Sequence, residues 1–186
     1  MTTTSRSRSR RRQSFLTDIL LGSNPTDESR WTQRTGWLAD IAQVGCKDGD
    51  WTVKCNLSCI GPGTVGWFAR FGDEGRPPLA GFIVCSGPPL EYEFEDKIGS
   101  LVREWYLSGH LHGWTPQLWV SGSDIEAAGW PATRAPWGST SVYQFRNGER
   151  LDSDCVKLLV SLLCDSSKQH IAAEHRRIAG SDPWWA

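Results

Sequence analysis

The chain has 186 residues, with 20 Lys and Arg against 21 Asp and Glu for a formal net charge of −1. That length suits one domain able to bury a sizeable core, and no apolar run approaches the roughly 20 residues of a membrane span, so a membrane partner is not expected. The charge balance conceals a split: five of the twenty bases, Arg6, Arg8, Arg10, Arg11 and Arg12, fall in the first twelve residues with no acid among them, leaving fifteen bases to face twenty-one acids in residues 13 to 186.

Residues 1–14 read as a disordered arm. Thr, Ser and Arg supply no large apolar surface before Phe15 to offset the entropy of ordering the backbone. Guanidinium groups on such a strand suit phosphate oxygens, so the five arginines are the candidate RNA-binding residues, with salt-sensitive and sequence-tolerant affinity. No apolar signal-peptide region follows the basic stretch, so the chain is expected to mature in a reducing cytosol with its six cysteines as thiols. Residues 15–48 read as a linker with short helical or extended segments, among them a short amphipathic helix from Phe15 to Leu21 that Gly22 and Pro25 would end.

From residue 49 to residue 178 the reading is β. Trp51, Val53, Cys55, Leu57 and Cys59 alternate with polar residues, as in a half-buried strand. Further short runs follow at 64–71, 79–85, 90–94, 101–107, 117–120, 140–145, 156–163 and 170–174, punctuated by Gly-Pro-Gly, Arg-Pro-Pro, Gly-Pro-Pro and Arg-Asn-Gly. Ser123 to Ala128 offers an N-cap and good helix formers, hence one short helix in a loop. Eight or so strands with 19 Gly and 10 Pro describe a mainly β fold, a jelly-roll β-sandwich, with residues 179–186 as an extended tail. The expected core joins Trp51, Val53, Leu57, Phe82, Val84, Leu118, Val120, Val142, Leu158, Val160 and Leu162. Most of the eleven tryptophans belong in that core or at subunit contacts.

Catalytic chemistry is not expected. Cys55 and Cys59 on a strand lie about 13 Å apart, too far to share a metal ion. His110 and His112 could present two imidazoles on one face of an extended segment, but Gly109 and Gly113 mark the segment as a loop, so neither a metal nor any other cofactor is expected there. Glu91, Glu93, Glu95 and Asp96 form an acidic run that reads as a solvated face. Phosphate-binding and nucleophile-elbow motifs are missing, so an enzyme is not expected.

The second half carries a resemblance. Leu90-Glu91-Tyr92, Asp96-Lys97-Ile98-Gly99-Ser100-Leu101, Trp114-Thr115-Pro116-Gln117-Leu118-Trp119-Val120, Ser141-Val142-Tyr143-Gln144-Phe145 and Glu174-His175-Arg176-Arg177-Ile178, in that order behind an Arg-rich arm, resemble the capsid proteins of the plant virus family Bromoviridae, cucumoviruses in particular. The resemblance covers residues 90–186 and implies a divergent genus. It implies a jelly-roll coat subunit, with dimers as building blocks, that self-assembles into a virion and packages single-stranded viral RNA on its arm, after a stay in the host cytoplasm. It also implies a tail reaching a neighbouring subunit, and Pro183, Trp184 and Trp185 fit that role as an aromatic anchor. The alternatives are a non-structural viral RNA-binding protein such as a silencing suppressor, and a zinc-dependent or hydrolytic enzyme using His110, His112 and the cysteines.

Overall fold

The computed structural model describes residues 18–23, 46–53, 58–71, 76–95, 98–138 and 147–186. Seven strands, β1 (Ile19–Ser23), β2 (Lys47–Val53), β3 (Val65–Arg70), β4 (Leu79–Cys85), β5 (Leu90–Glu95), β6 (Leu101–Gly113) and β7 (Glu149–Arg150), form one curled mixed sheet. The order is β2-β6-β4-β3-β1-β7, with β5 added to β6. β1 runs parallel to β3, and the other described pairings are antiparallel.

β4 shows why the sheet is a core element. All seven of its residues, Leu-Ala-Gly-Phe-Ile-Val-Cys, are buried, the unbroken apolar run of a strand covered on both faces. Leu79, Phe82 and Val84 enter one apolar cluster with Leu20, Val65 and Trp67. Ile83 and Cys85 enter a second cluster with Ile19, Leu21, Val53, Phe68, Leu107 and Leu111.

β6 organises the pairing. Gly109–Gly113 bond to β4 and Leu101–Tyr106 to β5, while Trp105–Leu111 take β2 on the opposite edge. β4 and β5 therefore lie end to end along one edge of β6. The break between them is Gly87-Pro88-Pro89, where prolines have no N–H to donate, and the last bond before it runs from Ser86 N to Ser108 O at 2.9 Å.

Three helices follow: α1 (Gly122–Ala127), α2 (Ser153–Leu162) and α3 (Asp165–Ala179). Each closes the first cluster, through Ile125, through Cys155, Val156 and Leu159, and through Ile171 respectively. α1 falls where the short helix was expected, but its N-cap is Ser121, whose hydroxyl accepts from Asp124 N at 3.1 Å, and Ser123 lies inside the helix.

The mainly β class stands, and several finer expectations are corrected. Residues 156–163 and 170–174 are helical, in α2 and α3. Residues 117–120 hold a 3-10 turn with Val120 bridging to Leu79, not a strand. The amphipathic helix expected over Phe15–Leu21 is, in its described part, the strand β1, and the expected linker 15–48 thus includes a strand inside the sheet. The final residues are not extended: Ala186 N bonds to Pro183 O at 3.0 Å in a turn folded back on the chain. The arm, Cys55, Leu57, Val142 and the expected strand at 140–145 lie outside the described residues.

Candidate functional site

A strand sends residues two apart to the same face, so His110 and His112 of β6 point one way. The expectation of a loop there is corrected: Gly109 and Gly113 are strand residues, and glycine is needed for close approach. A Cβ on Gly109 would lie 2.3 Å from Val84 O, and one on Gly81, opposite Gly113, 2.2 Å from His112 O. β2 sets Asp48 opposite His110. Phe82 stacks flat on His112 with centroids 4.5 Å apart.

α3 closes this face with His170 and Glu174, one turn apart on the same side of the helix. His170 meets the His112 ring edge-on at 4.6 Å. Three of the chain's four histidines therefore gather beside one buried carboxylate. Glu174 Oε1 lies 3.0 Å from His110 Nδ1, and Oε2 lies 3.7 Å from His112 Nε2. Arg177 Nε donates to both carboxylate oxygens, at 3.0 and 3.1 Å. Asp48 Oδ1 sits 3.1 Å from His110 Nε2 at the solvent mouth. Despite this crowding, His110 Nδ1 and both nitrogens of His112 complete no hydrogen bond.

Burial fixes the protonation of the cluster. It pushes the His112 imidazole down to about 4, aided by the nearby His170, and it lowers His170 as well. Burial also opposes the charge on Glu174, but the hydrogen bonds from Arg177, together with the electrostatic pull of Arg177 and of the nearby His112 and His110 rings, hold that carboxyl below its ordinary range. At neutral pH His112 and His170 are neutral and Glu174 is ionised, so each of these two rings keeps one N–H and one lone pair beside a carboxylate.

A second buried carboxyl sits across the sheet. Asp18 Oδ2 accepts from Trp67 Nε1 at 3.1 Å. Burial pushes this carboxyl up to about 7, against the pull of the Trp67, Trp184 and Trp185 indoles and the Val65 amide. Trp185 Nε1 lies close by without completing a hydrogen bond. The folded-back tail delivers these indoles: Pro183 is buried, Trp185 packs against Trp67 with centroids 6.3 Å apart, and Trp184 remains 44% exposed. The predicted intersubunit trio is thus divided, with Pro183 and Trp185 against their own domain and Trp184 at the surface. His175 Nδ1, 2.6 Å from Ser181 O, ties the end of α3 to this turn.

The outer half of β6 pairs with β5 in a two-stranded ribbon whose β5 residues are exposed throughout. Register puts Leu90, Tyr92 and Phe94 on one face with Val102, Glu104 and Tyr106, and Glu91, Glu93 and Glu95 on the other with Arg103. Tyr92 and Tyr106 meet edge-on at 5.2 Å. Glu93 pairs with Arg103 at 2.6 Å, so Glu91, Glu93 and Glu95 form a solvated face partly balanced across the strand, while Asp96 lies outside the described residues. Leu90, Tyr92, Phe94 and Leu101 are 45, 47, 39 and 63% exposed.

Of the residues singled out in the sequence, His110 and His112 are brought together, and the Arg arm lies outside the described residues. His170 and Glu174 do not stand out as site residues in the sequence because their segment reads as a strand, whereas it is helical. Their i, i+4 spacing on a helix is the signal that could have found them. Cys46, Cys59, Cys85, Cys155 and Cys164 are free thiols. No protein-family model matches the chain, no curated protein matches it and no solved structure matches it.

Proposed function

We propose that the chain is a viral capsid protein that self-assembles into a shell and packages single-stranded RNA through Arg6, Arg8, Arg10, Arg11 and Arg12, a structural role and not a catalytic one. The observation that carries this reading is the ribbon of β5 and β6, whose apolar face of Leu90, Tyr92 and Phe94 stands in solvent. A two-stranded ribbon is marginal by itself, and covering the exposed two-fifths to one-half of each of these side chains against a second copy contributes about 1 kcal/mol each. Exposed apolar surface of this kind, backed by an acidic opposite face, marks an association site. The exposed Trp184 offers a second anchor.

Charge supports the same reading. The body carries fifteen bases against twenty-one acids and repels RNA, so the arm has to supply the attraction. In this reading the curled sheet belongs to a jelly-roll shell domain, the likeness of residues 90–186 to Bromoviridae coat proteins reflects descent, and the protein resides in virions after a cytoplasmic stage.

Negative-stain microscopy of the full chain mixed with single-stranded RNA tests the proposal. Closed shells of uniform size are expected, and the double change Tyr92→Lys, Phe94→Lys should abolish them while leaving a folded subunit that still binds RNA. Small RNA-bound oligomers in place of shells would replace this reading with that of a silencing suppressor. Failure to associate with RNA would overturn both.

A further inference from the structure

We propose that His110, His112 and Glu174 bind a divalent transition-metal ion of the zinc class, one per chain. One ligand atom from each residue lies within 4.8 Å of the others, and small side-chain rotations would bring them around a common centre at bonding distances of about 2.0–2.2 Å. Two imidazoles with one carboxylate suit zinc, and their borderline character disfavours magnesium and calcium, which take oxygen donors.

Two independent observations point to a ligand. Both nitrogens of His112 are buried without a hydrogen-bond partner, although the imidazole is nine-tenths buried or more. A buried imidazole N–H and lone pair left unpartnered carry a desolvation cost, and a metal ion would take up the lone pair. The second is the arrangement around the three residues. Arg177 grips Glu174 from outside, and Phe82 fixes the plane of His112 by stacking, so an outer shell orients the donors, as metal sites require. The mouth opens past His110, where Asp48, its side chain 90% exposed, provides an anionic approach for a cation.

The ion would join α3 to β6, which the His110–Glu174 pair and the edge-on contact of His112 with His170 already bring together, and would leave coordination positions for water or for Asp48. Neither consequence depends on the capsid reading.

Cobalt(II) is the probe, because its visible spectrum reports the donor atoms without any assay of activity. Titrating the full chain with cobalt is expected to give one equivalent bound, with d–d bands and no sulfur-to-cobalt charge transfer, and zinc is expected to displace it. His110→Ala and Glu174→Gln should each weaken cobalt binding at least about a hundredfold, since even outer-shell changes cost 10–100-fold. Zinc should raise the thermal midpoint of the unaltered chain in a concentration-dependent way. No stoichiometric binding, a thiolate charge-transfer band, or full affinity retained in the two variants would each overturn the assignment. The spectrum of the unaltered chain decides the ligand class even if a variant fails to fold.

Discussion

Asp18 holds a carboxyl that burial pushes up to about 7 from its ordinary 3.8, and the sign of the resulting pH dependence follows directly. Between those values the folded chain keeps a proton that the unfolded chain has released, so this group's contribution to stability falls as pH rises through the window and levels off above it. His112, pushed down to about 4 from 6.5, acts in the opposite direction. Below its unfolded value the unfolded chain takes up the proton, so stability rises between about pH 4 and 6.5. The two trends offset each other. Asp18→Asn should therefore expose the rising trend, and its stability relative to the unaltered chain should grow from pH 4 to 7 by a few kcal/mol before becoming constant. Urea midpoints across pH 4–8 check this, and a difference independent of pH would mean the carboxyl is ionised in the fold. None of this was legible in the sequence, where Asp18 sits on the polar side of an apparent amphipathic stretch. Its neighbours Trp67, Trp184 and Trp185 arrive through tertiary structure alone.

Local signals proved sufficient for some elements and misleading for others. β3, β4, β5 and α1 fall close to where turn residues and capping placed them. α2 was hidden because Val156 to Leu163 is a β-prone apolar run, yet its buried Cys155, Val156, Leu159 and Leu163 keep helical spacing. Its N-cap, Asp152, accepts from Cys155 N at 2.9 Å. α3 likewise ends on Gly180 at φ 71°, with Arg176 and Arg177 in its last turn, a helix stop readable in retrospect. The turn after α3 separates two roles that the sequence merged. Trp185 packs on its own core while Trp184 is exposed. Trp185→Ala should therefore cost about 2 kcal/mol, less than a fully buried tryptophan, and lower the thermal midpoint of the unassembled subunit by roughly 4–8 °C. Trp184→Ala should lower that midpoint less than Trp185→Ala, because Trp184 is 44% exposed although its indole also reaches Asp18, and its main effect should fall on assembly, read as particle yield. A midpoint insensitive to Trp185→Ala would release the tail to serve a neighbouring subunit, as the sequence suggested.

At the scale of the molecule, composition foretold a β protein but not its single mixed sheet. Pairings such as β1 with β3, β1 with β7 and β2 with β6 join segments far apart in sequence, and short-range periodicity carries no information about them. The predicted core divides accordingly. Phe82, Val84 and Val120 lie in one cluster, Val53 in the other, and Leu118 is 39% exposed. What the sequence does state plainly is the charge split, and it yields a quantitative expectation for the whole chain. If all five arginines of residues 1–12 neutralise phosphates on single-stranded RNA, log K should fall against log salt with a slope of about −0.7 for each contact, or about −3.5 per subunit. The acidic body adds repulsion that is screened by the same salt, so the observed slope should be no steeper than that and somewhat shallower. Removing residues 1–12 deletes none of the described sheet or helices, so the truncated chain should keep its thermal midpoint and its circular dichroism while the slope flattens toward zero. Fluorescence anisotropy of labelled single-stranded RNA over about 50–300 mM salt measures both arms of the comparison. A slope unchanged by truncation would place the phosphate contacts on the body, and since the body is acidic overall, that would require a local cluster of its fifteen bases to take over the role assigned here to Arg6, Arg8, Arg10, Arg11 and Arg12.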